Sequence, residues 1–106
     1  GAVGARGPRM RNLERAVAFG WRREGFLAAL GALQVESGRL TDAERSFTIL
    51  IREYPRNASA LNELAYLALV RGDRGQAEAL LRRGLALEPA DPDLRANLER
   101  LQRGGP

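Results

Sequence analysis

The chain has 106 residues, with 17 Arg and no Lys, His or Cys, against 13 acidic groups, for a formal charge of +4. That length makes one domain, whose core covers about two-thirds of the unfolded surface. Without His, Cys or Lys there is no imidazole base, thiolate nucleophile, Cys/His zinc site or Schiff-base amine, so carboxylates, Ser, Thr, Tyr and Arg are the only chemistry left. The lack of Cys also removes any disulfide framework, and the longest uncharged stretch, residues 25–35, is far too short to span a bilayer, as is the apolar run at residues 64–70.

Charge is unevenly placed. Residues 1–23 carry six Arg against one Glu, a local +5, whereas residues 24–91 carry −2 and residues 92–106 carry +1. The basic excess therefore belongs to the N-terminal segment and says little about the body of the chain. An all-Arg basic set with many Ala, Gly and Leu suggests a GC-rich, bacterial coding sequence.

Residues 1–7 are Gly-rich without phosphate-loop spacing and read as a flexible tail. Residues 8–19 read as a helix with Leu13, Ala16 and Val17 on its apolar face and Arg in solvent. Phe19 and Trp21 follow, and are expected to cover the open end of the next unit.

From residue 24 the chain repeats itself at an offset of 34. Leu27 aligns with Leu61, Leu30 with Leu64, Leu33 with Leu67, Gly38 with Gly72, Ala43 with Ala77, Glu44 with Glu78 and Pro55 with Pro89. Each unit reads as two helices. In unit one, residues 24–57, Leu27, Leu30 and Gly31 mark the first helix and Ala43, Phe47, Leu50 and Ile51 the second. Gly38 ends the first helix in the left-handed conformation, Thr41 is expected to cap the second with Glu44 completing a capping box, and Pro55 stops it. In unit two, residues 58–91, Gly72 ends the first helix, Asp73 with Gln76 caps the second, and Pro89 stops it. Gly31 and Ala65 are expected at close crossings of two helices, with Ala43 and Ala77 facing them. Asp91 then caps a closing helix, residues 92–103, with Pro92 at its first position and Leu94, Leu98 and Leu101 covering Leu81 and Leu85. Residues 104–106 read as a tail.

These residues resemble the tetratricopeptide repeat, a 34-residue helix-turn-helix unit. Unit one supplies the signature as Leu27, Leu30, Gly31, Gly38, Ala43, Phe47, Leu50 and Pro55, and unit two as Leu61, Leu64, Ala65, Gly72, Ala77, Leu81, Gly84 and Pro89. It departs from the family at Leu50 and Gly84, where Ala is usual, and at Gln34 and Ala68, where Tyr is common. The resemblance implies an all-α, right-handed α-solenoid: two full units flanked by one helix at each end, forming a single domain over residues 8–103.

The resemblance further implies a protein-interaction scaffold whose first helices line a concave groove for a peptide or helix of a partner protein, as in assembly of a larger complex. Carried over residue by residue, the groove positions are Gly25, Ala28, Ala32, Val35 and Glu36, then Ser59, Asn62, Tyr66, Leu69 and Val70, then Asp93, Ala96, Arg100 and Arg103, with Asn97 nearby. The peptide-binding candidates among them are Ala28, Ala32, Val35, Ser59, Asn62, Tyr66, Leu69, Asn97 and Arg100. Ala28 and Ala32 leave room for a ligand side chain, Asn62 bonds ligand backbone and Tyr66 packs on it with a polar tip. The plainer reading makes Val35, Tyr66 and Leu69 groove-side packing.

The carboxylate clamp of chaperone-binding members is disfavoured, because Ala28, Ala32 and Glu63 stand where Lys and Asn are needed. No catalytic residue, metal or cofactor is implied, and Asp42, Glu44 and Glu78 read as helix-start caps. Two alternatives stay open. The N-terminal Arg set, with Phe19 and Trp21 to stack on bases, would hold nucleic acid or another anionic surface, although a solvated helix face explains it more simply. Half-repeats at the ends would also let a second copy stack on the first. The expected location is cytoplasmic, with the periplasm as the alternative.

Overall fold

The computed structural model describes residues 10–104. Arg6, Arg9, the tail expected at residues 1–7 and the end of the tail expected at 104–106 lie outside the described residues. Six helices follow in chain order: α1 (Met10–Ala18), α2 (Glu24–Glu36), α3 (Leu40–Glu53), α4 (Ala58–Arg71), α5 (Arg74–Leu87) and α6 (Pro92–Gln102). There is no strand among the described residues. Each helix packs on its sequence neighbour, which draws the molecule out to 49 × 25 × 20 Å, the shape of a stacked array.

The repeat is visible in the backbone itself. Gly38 and Gly72 take φ of +77° and +90°, the left-handed conformation that only glycine adopts without strain. Beyond them the Arg39 N–H donates to the Gln34 carbonyl and the Asp73 N–H to the Ala68 carbonyl, both at 2.8 Å, closing the same six-residue turn. The second helices end at Tyr54 (φ −133°, ψ 74°) and Glu88 (φ −132°, ψ 74°). A proline follows each, which bars the helical conformation at the residue before it. Two places 34 residues apart thus share a conformation because they share a cause.

Helix starts are less uniform. Asp73 accepts from the Gln76 N–H at 3.0 Å, and Asp91 accepts from the N–H groups of Asp93 at 2.9 Å and Leu94 at 3.0 Å, with Pro92 at the first position. Asn57 also caps α4, accepting from the Ala60 N–H at 2.9 Å. The expected box at Thr41 does not form. The chain enters α3 straight from the Gly38 turn, so Arg39 holds the cap position without a side-chain cap bond and Thr41 lies exposed inside the first turn. Nor do Asp42, Glu44 and Glu78 act as caps: they pair with Arg39, Arg71 and Arg82.

The core forms two clusters that meet on α4. Val17, Leu27, Leu30, Phe47 and Leu50 join Leu64 and Leu67 of α4 in the first. Ala65 and Ala68 of α4 join Leu81, Leu94, Leu98 and Leu101 in the second. Buried on both sides, α4 is apolar around much of its circumference, as a central helix must be. The closing helix covers Leu81 completely, while Leu85 is half-buried.

Small residues mark the crossings. A Cβ added at Gly31 would lie 2.6 Å from Cζ of Phe47, so the atoms nearest this glycine belong to the Phe47 ring rather than to Ala43. A Cβ at Gly84 would lie 3.0 Å from Cδ2 of Leu94. Leu50, the counterpart of Gly84 in unit one, is fully buried in the cluster that contains Ala60, the counterpart of Leu94. The departures at Leu50 and Gly84 are thus opposite large-and-small choices at successive junctions.

At the N-terminal end Val17 is buried in the first cluster and Leu13 packs half-buried against it, as the sequence requires, and Ala16 beside them is half-buried. Phe19 does not cover the open end. It is 88% exposed, because α1 stops at Ala18 and the chain turns at Gly20 (φ +94°), leaving Phe19 past the last residue that faces α2. Trp21 is half-exposed and lies against Phe26, their ring centroids 4.8 Å apart.

Candidate peptide-binding groove

The groove candidates lie on α2, α4 and α6. On each helix they recur at spacings of three and four residues, which places them along one stripe. On α2, Ala28 and Val35 are half-buried and pack on the first core cluster, while Ala32 is exposed. On α4, Ser59 is exposed, Asn62 and Leu69 are half-buried, and Tyr66 and Val70 are 52% and 53% exposed. On α6, Asn97 is half-buried and Arg100 is exposed.

Two of these residues meet directly. The Asn97 Nδ2 donates to the Asn62 Oδ1 at 2.9 Å, joining α4 to α6. That bond uses one donor of Asn97 and one lone pair of Asn62, which leaves both donors of Asn62 and the carbonyl oxygen of Asn97 without a side-chain partner among the described residues. Paired amides beside a half-exposed aromatic ring offer what an extended chain needs: donors and an acceptor for its backbone and a flat apolar face for a side chain. Ala28, Val35 and Leu69 divide their surface between stripe and core, so packing explains part of their character.

Polar contacts elsewhere fix the helices that carry the stripe. The Ser46 Oγ donates to the Gln34 Oε1 at 2.6 Å, and the Gln34 Nε2 donates to the Glu14 Oε2 at 2.8 Å. Gln34 is 1% exposed, so this chain of bonds ties α1, α2 and α3 together in a place where an unpaired group would be costly. Arg39 pairs with Glu14 at 3.1 Å and with Asp42 at 2.7 Å. Arg71 at the end of α4 reaches Glu44 on α3 and Gln76 on α5. Desolvation acts to lower the Arg39 pKa, but the hydrogen bond to Asp42 and the charges of Glu14 and Asp42 outweigh it and hold the guanidinium above its ordinary value. Sequence reasoning saw Gln34 only as a departure from the family pattern, which was the one signal of this network.

No helix among the described residues is long and apolar enough to cross a membrane. No group of three or more acidic or other metal-binding side chains is placed among them to hold a metal ion.

Stacked helix pairs with an exposed stripe along their first helices define a helical-repeat scaffold. A family model described as tetratricopeptide repeat matches residues 34–101. Cellulose synthase operon protein C of Pseudomonas fluorescens (strain SBW25) is 33% identical over 78 residues, which is 74% of this chain and 6% of that protein. The chain belongs to the tetratricopeptide repeat family, whose repeats are non-catalytic modules for binding other proteins. It matches a short stretch of a much longer relative.

Proposed function

We propose that the chain holds a peptide or helix of a partner protein along the stripe formed by α2, α4 and α6, and does so within a larger assembly. The observation that carries this reading is the Asn62–Asn97 pair beside the half-exposed Tyr66: polar groups with bonding capacity left over, next to an aromatic face, in the middle of an array built from packed helices. Ala32 and Ser59 keep the flanking surface low, which leaves room for ligand side chains. The relative's name attaches that protein to a cellulose synthase operon, which fits a role as one component among several.

The test is affinity capture with the intact chain and with a Tyr66→Ala/Asn62→Ala variant of matched melting temperature. Partners recovered by the intact chain are expected to be depleted roughly tenfold or more with the variant, since a central aromatic and its polar neighbour carry a large share of such interfaces. Recovery of the same partners in the same amounts would overturn the proposal.

A further inference from the structure

We infer that the array has a second interaction surface, on the side of its second helices, which takes an acidic protein segment carrying an apolar anchor residue. The site is a cavity of about 490 Å³ between α1 and α3 with α2 at its floor, within the roughly 300–1,000 Å³ of ordinary ligand pockets. It shares no residue with the stripe described above.

Its floor is apolar and its rim is cationic. Val17, Leu30 and Ile49 line the interior, and Arg11, Arg15 and Arg45 stand around it. Arg11 and Arg15 are one turn apart on α1, so they project from the same face, and Arg45 faces the cavity from α3. All three are exposed and none has an ion pair or hydrogen bond among the described residues. The two carboxylates at the cavity, Glu14 and Asp42, are both engaged by Arg39. Three unspent guanidiniums thus surround an apolar hollow.

Charge complementarity selects the occupant. Carboxylates answer the rim, where guanidiniums form paired bonds with them, and an apolar side chain fills the floor, where Gln34 and Ser46 have already spent their bonds on each other and on Glu14. Nucleic acid fits less well. No aromatic side chain lines the cavity for a base to stack on, and Gln34 and Ser46 in its floor are bonded to each other and to Glu14 rather than set out for a base edge.

The experiment titrates the isotope-labelled chain with a short synthetic peptide in which Glu and Asp flank a central Leu, followed by NMR. Shifts in the Val17, Leu30 and Ile49 methyls and the Arg11, Arg15 and Arg45 side-chain signals are expected. Affinity should fall as salt rises, and it should drop roughly tenfold or more in an Arg11→Ala/Arg15→Ala/Arg45→Ala variant while Tyr66→Ala leaves it unchanged. A matched peptide with central Ala should bind more weakly. Shifts confined to Tyr66 and Asn62, no shift at millimolar peptide, or an equal response to a peptide with Lys in place of the acids would each overturn the inference. Tighter binding of single-stranded DNA at the same residues would overturn it in favour of nucleic acid.

Discussion

At the helix crossing of unit one, Gly31 lies under the Phe47 ring, with no room for even a Cβ. At the same crossing of unit two, Ala65 and Leu81 hold the corresponding places, both buried. A second contrast lies one turn further along. Unit one buries Gln34 and Ser46 as a hydrogen-bonded pair, and unit two has Ala68 and Leu80 there. The backbone plan is common to both units, so what it conserves is the combined volume and polarity at each contact, and the individual residues vary in compensation.

The most disruptive way to break this comparison is to put unit two's small residue alone into unit one. Gly31→Ala gains roughly 1 kcal/mol of helix propensity. The new Cβ meets three buried ring atoms, so overpacking at the upper end of about 1–3 kcal/mol outweighs it. The variant should melt lower than the parent chain. Phe47→Leu in the same chain copies the Ala65–Leu81 pair and should recover most of the loss, giving a favourable coupling in a double-mutant cycle of thermal or urea unfolding. Additive losses would show that Gly31 is not there to clear Phe47.

How much of this was legible in the sequence depends on how many residues each feature needs. Gly38, Gly72, Pro55 and Pro89 act singly on their own backbone, so an offset of 34 sufficed to give the helix pairs, their turns and the family. The stripe along α2, α4 and α6 came from the family resemblance, which assigns its positions unit by unit, and helical spacing adds only that such positions share one face. The bond between Asn62 and Asn97 did not, because it joins two residues 35 apart through a packing that only the folded array provides. Likewise Gln34 is an unremarkable polar residue until Glu14 of α1 and Ser46 of α3 close around it, and the cavity between α1 and α3 exists only once those helices are placed. Phe19 misled because an aromatic residue at a helix end reads as a cover, whereas the turn at Gly20 leaves it outside.

A smaller effect sharpens the polar contrast. Ser46→Ala removes the hydroxyl that donates to the Gln34 Oε1, and should cost about 1–1.5 kcal/mol because a buried acceptor loses its partner. Replacing both groups, as Gln34→Ala with Ser46→Leu, copies the Ala68–Leu80 pair and leaves no buried polar atom there without a partner. Glu14 keeps its bond to Arg39. The double variant should therefore unfold at a urea midpoint no lower than that of Ser46→Ala. A much lower midpoint would mean that the hydrogen-bonded pair supplies something that volume and saturation alone do not.

The smallest expected difference lies at the start of the second helices. Asp73 in unit two accepts from the Gln76 N–H, whereas its counterpart Arg39 makes no cap bond and reaches instead to Glu14 and Asp42. Asp73→Ala should cost about 0.5–1 kcal/mol as a lost cap, while Thr41→Ala, at the residue whose spacing from Glu44 mimics a capping box, should change stability by less than about 0.5 kcal/mol. The pair of values, measured by thermal unfolding, separates a motif that is only a spacing from one that the turn delivers to the helix end. If Thr41→Ala cost as much as Asp73→Ala, α3 would begin two residues later than Leu40, and the Gly38 turn would no longer run straight into the helix.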